Sequence, residues 1–299
     1  MQKILYAFLL LFISGNTYAA INIFACEPEW VALAQELAAD KADIYSATTA
    51  LQDAHLIQAR PSLIAKARHA QLLVCTGAEL EVGWLPLILR ESGNPDIVPG
   101  RPGNFEAARS VTMLEVPTRL DRGEGDVHAE GNPHIQTSAT NFLPIAQALS
   151  ARLAELDPVN AAFYRSRLQD FTQRWQAAIA RWEKQAAPLK GQPIVMQHKA
   201  FPYLSAWLGL KEVATLEPKP GMEPSVAHLS KVLEQLQRQP AKMVVRAAYQ
   251  NPKPSEWIAE RAHISAVVLP FSVGGTDGAK DLFGLFDDTI ARLLAGLNH

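Results

Sequence analysis

The chain has 299 residues, with 28 Lys plus Arg against 30 Asp plus Glu and a formal charge of −2. That balance argues against a nucleic-acid binder, which usually shows a basic excess or stripe. With 48% hydrophobic and 19% charged residues the chain can bury a core, so general disorder is excluded. Its two cysteines are too few for a disulfide scaffold.

Met1-Gln2-Lys3 is a short basic start, Ile4 to Ile13 is an apolar run, and Thr17-Tyr18-Ala19 ends in the small-x-small pattern of a cleavage site. The run is too short to span a bilayer, which needs about 20 residues. A signal peptide over 1–19, cut between Ala19 and Ala20, is expected, with an uncleaved anchor as the alternative. No Cys stands at the cut to carry a lipid. No later segment is long and apolar enough to cross a membrane, so the mature chain is expected in a periplasm.

From Ile21 the pattern alternates. Ile21 to Cys26 reads as a buried strand, followed by a helix over Glu27 to Ala39 with Trp30, Leu33, Ala34 and Leu37 at helical spacing. Asp43 to Ser46 is a short strand, Pro61 starts a helix to His69, Gln71 to Cys75 is a strand, and Ala78 to Glu91 is a helix. Residues 94–133 are rich in Gly and Pro and read as loop, with one strand candidate at Ser110 to Val116. Asn141 is a candidate N-cap for a helix to Leu156. From Pro158 to Ala187 the apolar residues Tyr164, Leu168, Phe171, Trp175, Ile179 and Trp182 predict one helix of roughly 30 residues, well above the usual length.

Strand-helix order then resumes. Strands are expected at Ile194 to Met196, Lys242 to Arg246 and Ala266 to Leu269, with helices at Phe201 to Leu208, Ser225 to Arg238, Ser255 to Ala262 and Ala279 to Leu297. The expectation is an α/β fold of two lobes, 20–156 and 188–299, each with a mainly parallel sheet, joined by a long helix over 157–187. A cleft between such lobes is the natural ligand site.

Eight histidines are present. His69, His228 and His263 fall on or at the ends of helices and His299 is terminal, so all four read as solvated or structural. His55, His128, His134 and His198 lie in loops that follow strands, where open α/β sheets present ligands. There is no His-Glu-x-x-His pair, no Cys-x-x-Cys, no Gly-x-Ser-x-Gly elbow and no phosphate-binding glycine loop.

Taken together, the pieces resemble the substrate-binding proteins of zinc and manganese ABC importers over residues 21–297. The resemblance is carried by His55 ahead of Pro61-Ser62, by Leu72-Leu73-Val74 with Thr76-Gly77 and Leu80-Glu81, by Asn132-Pro133-His134, by His198 in Gln197-His198-Lys199-Ala200-Phe201, and by Glu223-Pro224-Ser225. Where the family usually continues Trp-Leu-Asp-Pro after its second ligand, this chain has Ile135-Gln136-Thr137-Ser138. The resemblance implies His55, His134 and His198 as metal ligands, with Asp277 in the loop before the last helix as the fourth and Asp281 as the fallback. It implies Zn2+ as cargo rather than catalyst, an ABC permease as partner, with or without a periplasmic zinc chaperone, no nucleic acid, and a monomer. Three imidazoles and a carboxylate suit zinc, whereas manganese prefers more carboxylate oxygen. A manganese-binding member of the same family is one alternative, and His128 is an auxiliary contact or a solvated loop residue. The rival of another class is a zinc hydrolase, which needs an open metal position and a base such as Glu130 or Asp281.

Cys26 and Cys75 both end strands expected in the first lobe. Neighbouring strands lie close enough for a bridge, and a periplasm is oxidising. A disulfide is expected, with two buried free thiols as the first alternative and a thiolate metal site as the least favoured one.

Overall fold

Two parallel sheets share one core in the computed structural model, which describes residues 20–119, 123, 125 and 127–298. The leader expected over 1–19, Asp126 and His299 lie outside the described residues.

The first sheet is built from β1 (Ile21–Ala25), β2 (Ala42–Ser46), β3 (Leu72–Cys75) and β4 (Asn104–Glu106), in the order β2-β1-β3-β4 with every pairing parallel. Parallel neighbours need crossovers. These are α1 (Pro28–Ala38), α2 (Pro61–Arg68) and α3 (Leu85–Ser92), each with Pro in its first turn, where a missing N–H costs nothing. β4 replaces the strand expected at Ser110 to Val116, and α3 starts later than the expected Ala78. Ala78 and Glu79 both have positive φ, which breaks the helix before it can begin there.

After α4 (Phe142–Leu156), a 3₁₀ turn over Pro158–Asn160 leads into α5 (Ala161–Gln185), whose 25 residues make it the longest helix described. The second sheet repeats the plan with β5 (Pro193–Met196), β6 (Lys211–Thr215), β7 (Met243–Ala247) and β8 (Ser265–Leu269), in the order β6-β5-β7-β8 and again parallel. Its helices are α6 (Pro202–Leu208), α7 (Val226–Arg238), α8 (Lys253–Ala262) and α9 (Leu282–Leu297). β6, Lys-Glu-Val-Ala-Thr, has an exposed polar start that gives no strand signal in the sequence.

One face of each sheet joins a single core with α1, α4, α5 and α9, while the outer faces make smaller clusters of their own. At the centre Phe142, Phe171, Trp175, Trp182 and Phe286 pack ring on ring. The indole N–H groups are satisfied, Trp175 Nε1 by Ala139 O at 2.8 Å and Trp182 Nε1 by Asp287 Oδ1 at 2.6 Å. This shared core fixes how the lobes face each other. The loop after β8 reaches the other lobe, where Ser272 Oγ donates to the buried Glu29 of α1. Cys26 and Cys75 are joined by a disulfide with a Cα separation of 4.8 Å. Among the described residues no helix is long and apolar enough to cross a membrane.

Candidate metal centre

Four imidazoles from separate segments meet in the cleft. His55 sits in a single 3₁₀ turn, Ala54–Leu56, after β2. Asp53 caps that turn, accepting from the His55 backbone N–H at 3.0 Å, and the same Oδ1 lies 2.7 Å from His55 Nδ1. Burial alone would raise the Asp53 carboxyl, but the hydrogen bonds and charge of His55 outweigh it and hold the group below its usual value.

His198 follows β5. Its Nδ1 is 2.6 Å from Glu217 Oε2, and Glu217, just beyond β6, also accepts from Gly221 N at 2.8 Å. A carboxylate on Nδ1 fixes the tautomer and leaves Nε2 as the free ring nitrogen, the arrangement of metal-binding histidines.

His134 comes from the Asn132-Pro133-His134 segment, which is tied to both lobes. Asn132 Oδ1 accepts from His134 N at 3.0 Å, Asn132 Nδ2 donates to Lys199 O at 2.9 Å, and Tyr203 Oη donates to Asn132 O at 2.7 Å. The His134 ring is buried against Phe271, with centroids 5.2 Å apart. Burial first, then the imidazoles of His55, His198 and His128, push its pKa well below the ordinary histidine value. Its Nδ1 is buried with no hydrogen-bond partner among the described residues. A neutral imidazole with an orphaned nitrogen is primed for a cation rather than a proton.

His128 completes the group. Its Nε2 lies 3.3 Å from His55 Nε2. Two nitrogens bound to one tetrahedral zinc at 2.0–2.1 Å stand about 3.3–3.4 Å apart. The His55 ring centroid is 5.3 Å from His128, 5.4 Å from His134 and 6.4 Å from His198, and His134 is 5.7 Å from His198. A cavity of about 260 Å³ opens on His128, His134 and His198, and one of about 330 Å³ on His55, His198 and Glu217.

The structure does not bring the expected fourth ligand to these rings. Asp277 is exposed on the loop between β8 and α9 and lines neither cavity. The adjacent Thr276 is bonded to Asp288 of α9 at 2.6 Å, which ties the loop to its own helix rather than to the cleft. Asp281 is the N-cap of α9, accepting from Gly284 N at 2.7 Å. Glu130 is exposed and lines neither cavity. His69, His228 and His263 stay on or at the ends of α2, α7 and α8. Sequence reasoning missed the two orienting carboxylates. Asp53 was two residues from His55 and could have been found, whereas Glu217 depends on the pairing of β5 with β6.

The model of a family described as zinc-uptake complex component A, periplasmic (ZnuA), matches residues 23–296. The manganese ABC transporter substrate-binding lipoprotein PsaA of Streptococcus anginosus is 20% identical over 261 residues, 83% of this chain and 79% of PsaA. The iron-binding protein YfeA of Yersinia pestis is 26% identical over 275 residues, 87% of this chain and 82% of YfeA. A crystal structure of ZnuA superposes with a TM-score of 0.75 at 20% identity, covering 93% of this chain and 98% of that one.

Proposed function

The chain belongs to the periplasmic zinc-uptake component A family, and from that membership we propose that it captures Zn2+ in the interlobe cleft and hands it to the permease of an ABC importer. His55, His134, His198 and His128 are the ligands in this reading, and the protein binds its metal without transforming it. The observation that carries it is the 3.3 Å between His55 Nε2 and His128 Nε2, with two further imidazoles beside them. An all-imidazole shell favours zinc over manganese, which takes more oxygen ligands. Four protein ligands leave no open position for a catalytic water, which counts against a hydrolase. A cleaved leader over 1–19, delivery outside the cytoplasm and a monomeric carrier complete the proposal.

The test is metal content and zinc titration against a competing chelator. One tight zinc per chain is expected, with manganese bound far more weakly. His55→Ala and His198→Ala should each abolish tight binding, and His128→Ala should weaken it by about tenfold or more, as disturbing even an outer-shell partner can. A full equivalent retained in both of the first two variants would overturn the assignment.

A further inference from the structure

The disulfide stands beside a second set of metal-ligating atoms outside the histidine cleft. The sulfurs of Cys26 and Cys75 and a carboxylate oxygen of Glu81 all lie within 4.8 Å of one another, and all three residues are buried. Glu81 is held in place from behind, accepting from Thr76 N at 2.8 Å and Gly77 N at 3.1 Å. Gly77 has φ +78°, and a Cβ there would stand 2.9 Å from Glu106 Cβ, so the turn that presents these amides is restricted to glycine.

Next to Cys26 is Glu27, whose Oε2 accepts from Thr76 Oγ1 at 3.2 Å and whose carboxyl is hydrogen-bonded to that of Glu81. A cavity of about 420 Å³ reaches Cys75 and Glu81 from outside, between α3 and β4.

We propose that Cys26, Cys75 and Glu81 form a second, redox-gated site for a soft divalent cation, closed while the disulfide is intact and opened by its reduction. The step balances with a phosphine and water: the phosphine gives two electrons to the S–S bond, and water supplies the oxygen of the phosphine oxide and one proton to each sulfur; a dithiol instead gives both electrons and both protons and becomes a disulfide. The incoming cation then displaces both thiol protons and binds two thiolates and the carboxylate. Thiolates select zinc or cadmium over magnesium or manganese. In an oxidising periplasm the site is silent, and it becomes a sink for soft metal only under reducing conditions.

The experiment uses the full mature chain with zinc in the cleft, which holds the fold by linkage. It is reduced anaerobically with a phosphine, freed of reductant and titrated with Cd2+. Only a thiolate site gives a thiolate-to-cadmium charge-transfer band in the ultraviolet, so failure here is distinct from failure of the histidine assignment. The expected result is one additional cadmium per reduced chain with that band, none in the oxidised chain, none in Cys26→Ser, and about tenfold or weaker binding in Glu81→Gln. A reduced chain that keeps its circular dichroism without the band, or that loses its native circular dichroism, overturns the proposal. So does a Glu81→Gln variant that binds as tightly as the original.

Discussion

The two lobes aim an imidazole at the cleft by the same device at different range. In the first lobe the carboxylate on His55 Nδ1 comes from Asp53, two residues away in the same turn. In the second, the carboxylate on His198 Nδ1 comes from Glu217, 19 residues away on the neighbouring strand's exit. The local pair is the more open, with Asp53 35% exposed against 14% for Glu217. The lobes also differ in covalent support, since the first carries the Cys26–Cys75 bridge and the second has no cysteine. A turn that orients its own histidine can be looser than a pair that depends on two strands staying in register.

The largest expected effect comes from removing the covalent difference. The bridge closes a loop of 49 residues, for which the chain-entropy model gives about 4 kcal/mol. Denaturant unfolding of the metal-free protein with and without reductant should show a loss approaching that size. Hydrogen exchange should place it in β1 and β3 and leave β5 and β7 protected. Equal loosening of both sheets would mean that the shared core, not the bridge, sets the stability of the first lobe.

Breaking the two orienting pairs should come next. Glu217→Gln should cost zinc affinity about 10–100-fold, because the tautomer of His198 is no longer fixed by a charge. Asp53→Asn should cost less, since the turn geometry and a more exposed environment share the work. Competition titrations on both variants decide the order, and a larger loss for Asp53→Asn would reverse the comparison between lobes.

The same contrast between local and distant determinants explains what was legible in the sequence. Buried strands such as Ile21–Ala25 and Met243–Ala247 announce themselves by apolar runs, and α5 by its aromatic spacing. β4 is three residues between Gly103 and Ala107, too short to show a period. β6 is an edge strand, Lys-Glu-Val-Ala-Thr, whose polar start hides it. Of the site, His55, His134 and His198 were readable from their motifs. The approach of His128 to His55 across 73 residues was not, because it depends on the path of a Gly-rich loop. Assigning Asp277 relied on its distance to the last helix in sequence, and that distance does not say which way the loop turns.

A smaller effect lies at the seam between the lobes. Burial pushes Glu29 up to about 7, against the opposing hydrogen bond from Ser272, and pushes Glu81 up to about 7 as well. A carboxyl raised in the folded state binds more protons folded than unfolded between about pH 4.5 and 7. Its contribution therefore falls as pH rises through that window and is restored on acidification. Glu29→Gln, which can still accept from Ser272, should stabilise the metal-free protein at about pH 8 and lose that advantage near pH 5. Thermal unfolding at both values tests the sign. Zinc affinity should move the other way, weakening on acidification as protons compete with the metal for the ligand nitrogens.

The smallest effects separate the two loop carboxylates from the site. Asp281 caps α9, so Asp281→Ala removes an acceptor from the Gly284 N–H and should cost about 0.5–2 kcal/mol of stability. That loss belongs to the second lobe, the mirror of the disulfide's contribution to the first, and zinc affinity should be unchanged. Asp277 is exposed and lines neither cavity of the metal centre, so Asp277→Ala should change neither quantity measurably. Both variants can be read in one pair of measurements, chemical unfolding and chelator competition. A clear drop in zinc affinity for Asp277→Ala alone would mean that the loop after β8 swings into the cleft when metal arrives. His128 would then hold only the metal-free state, and the fourth ligand would come from the second lobe rather than the first.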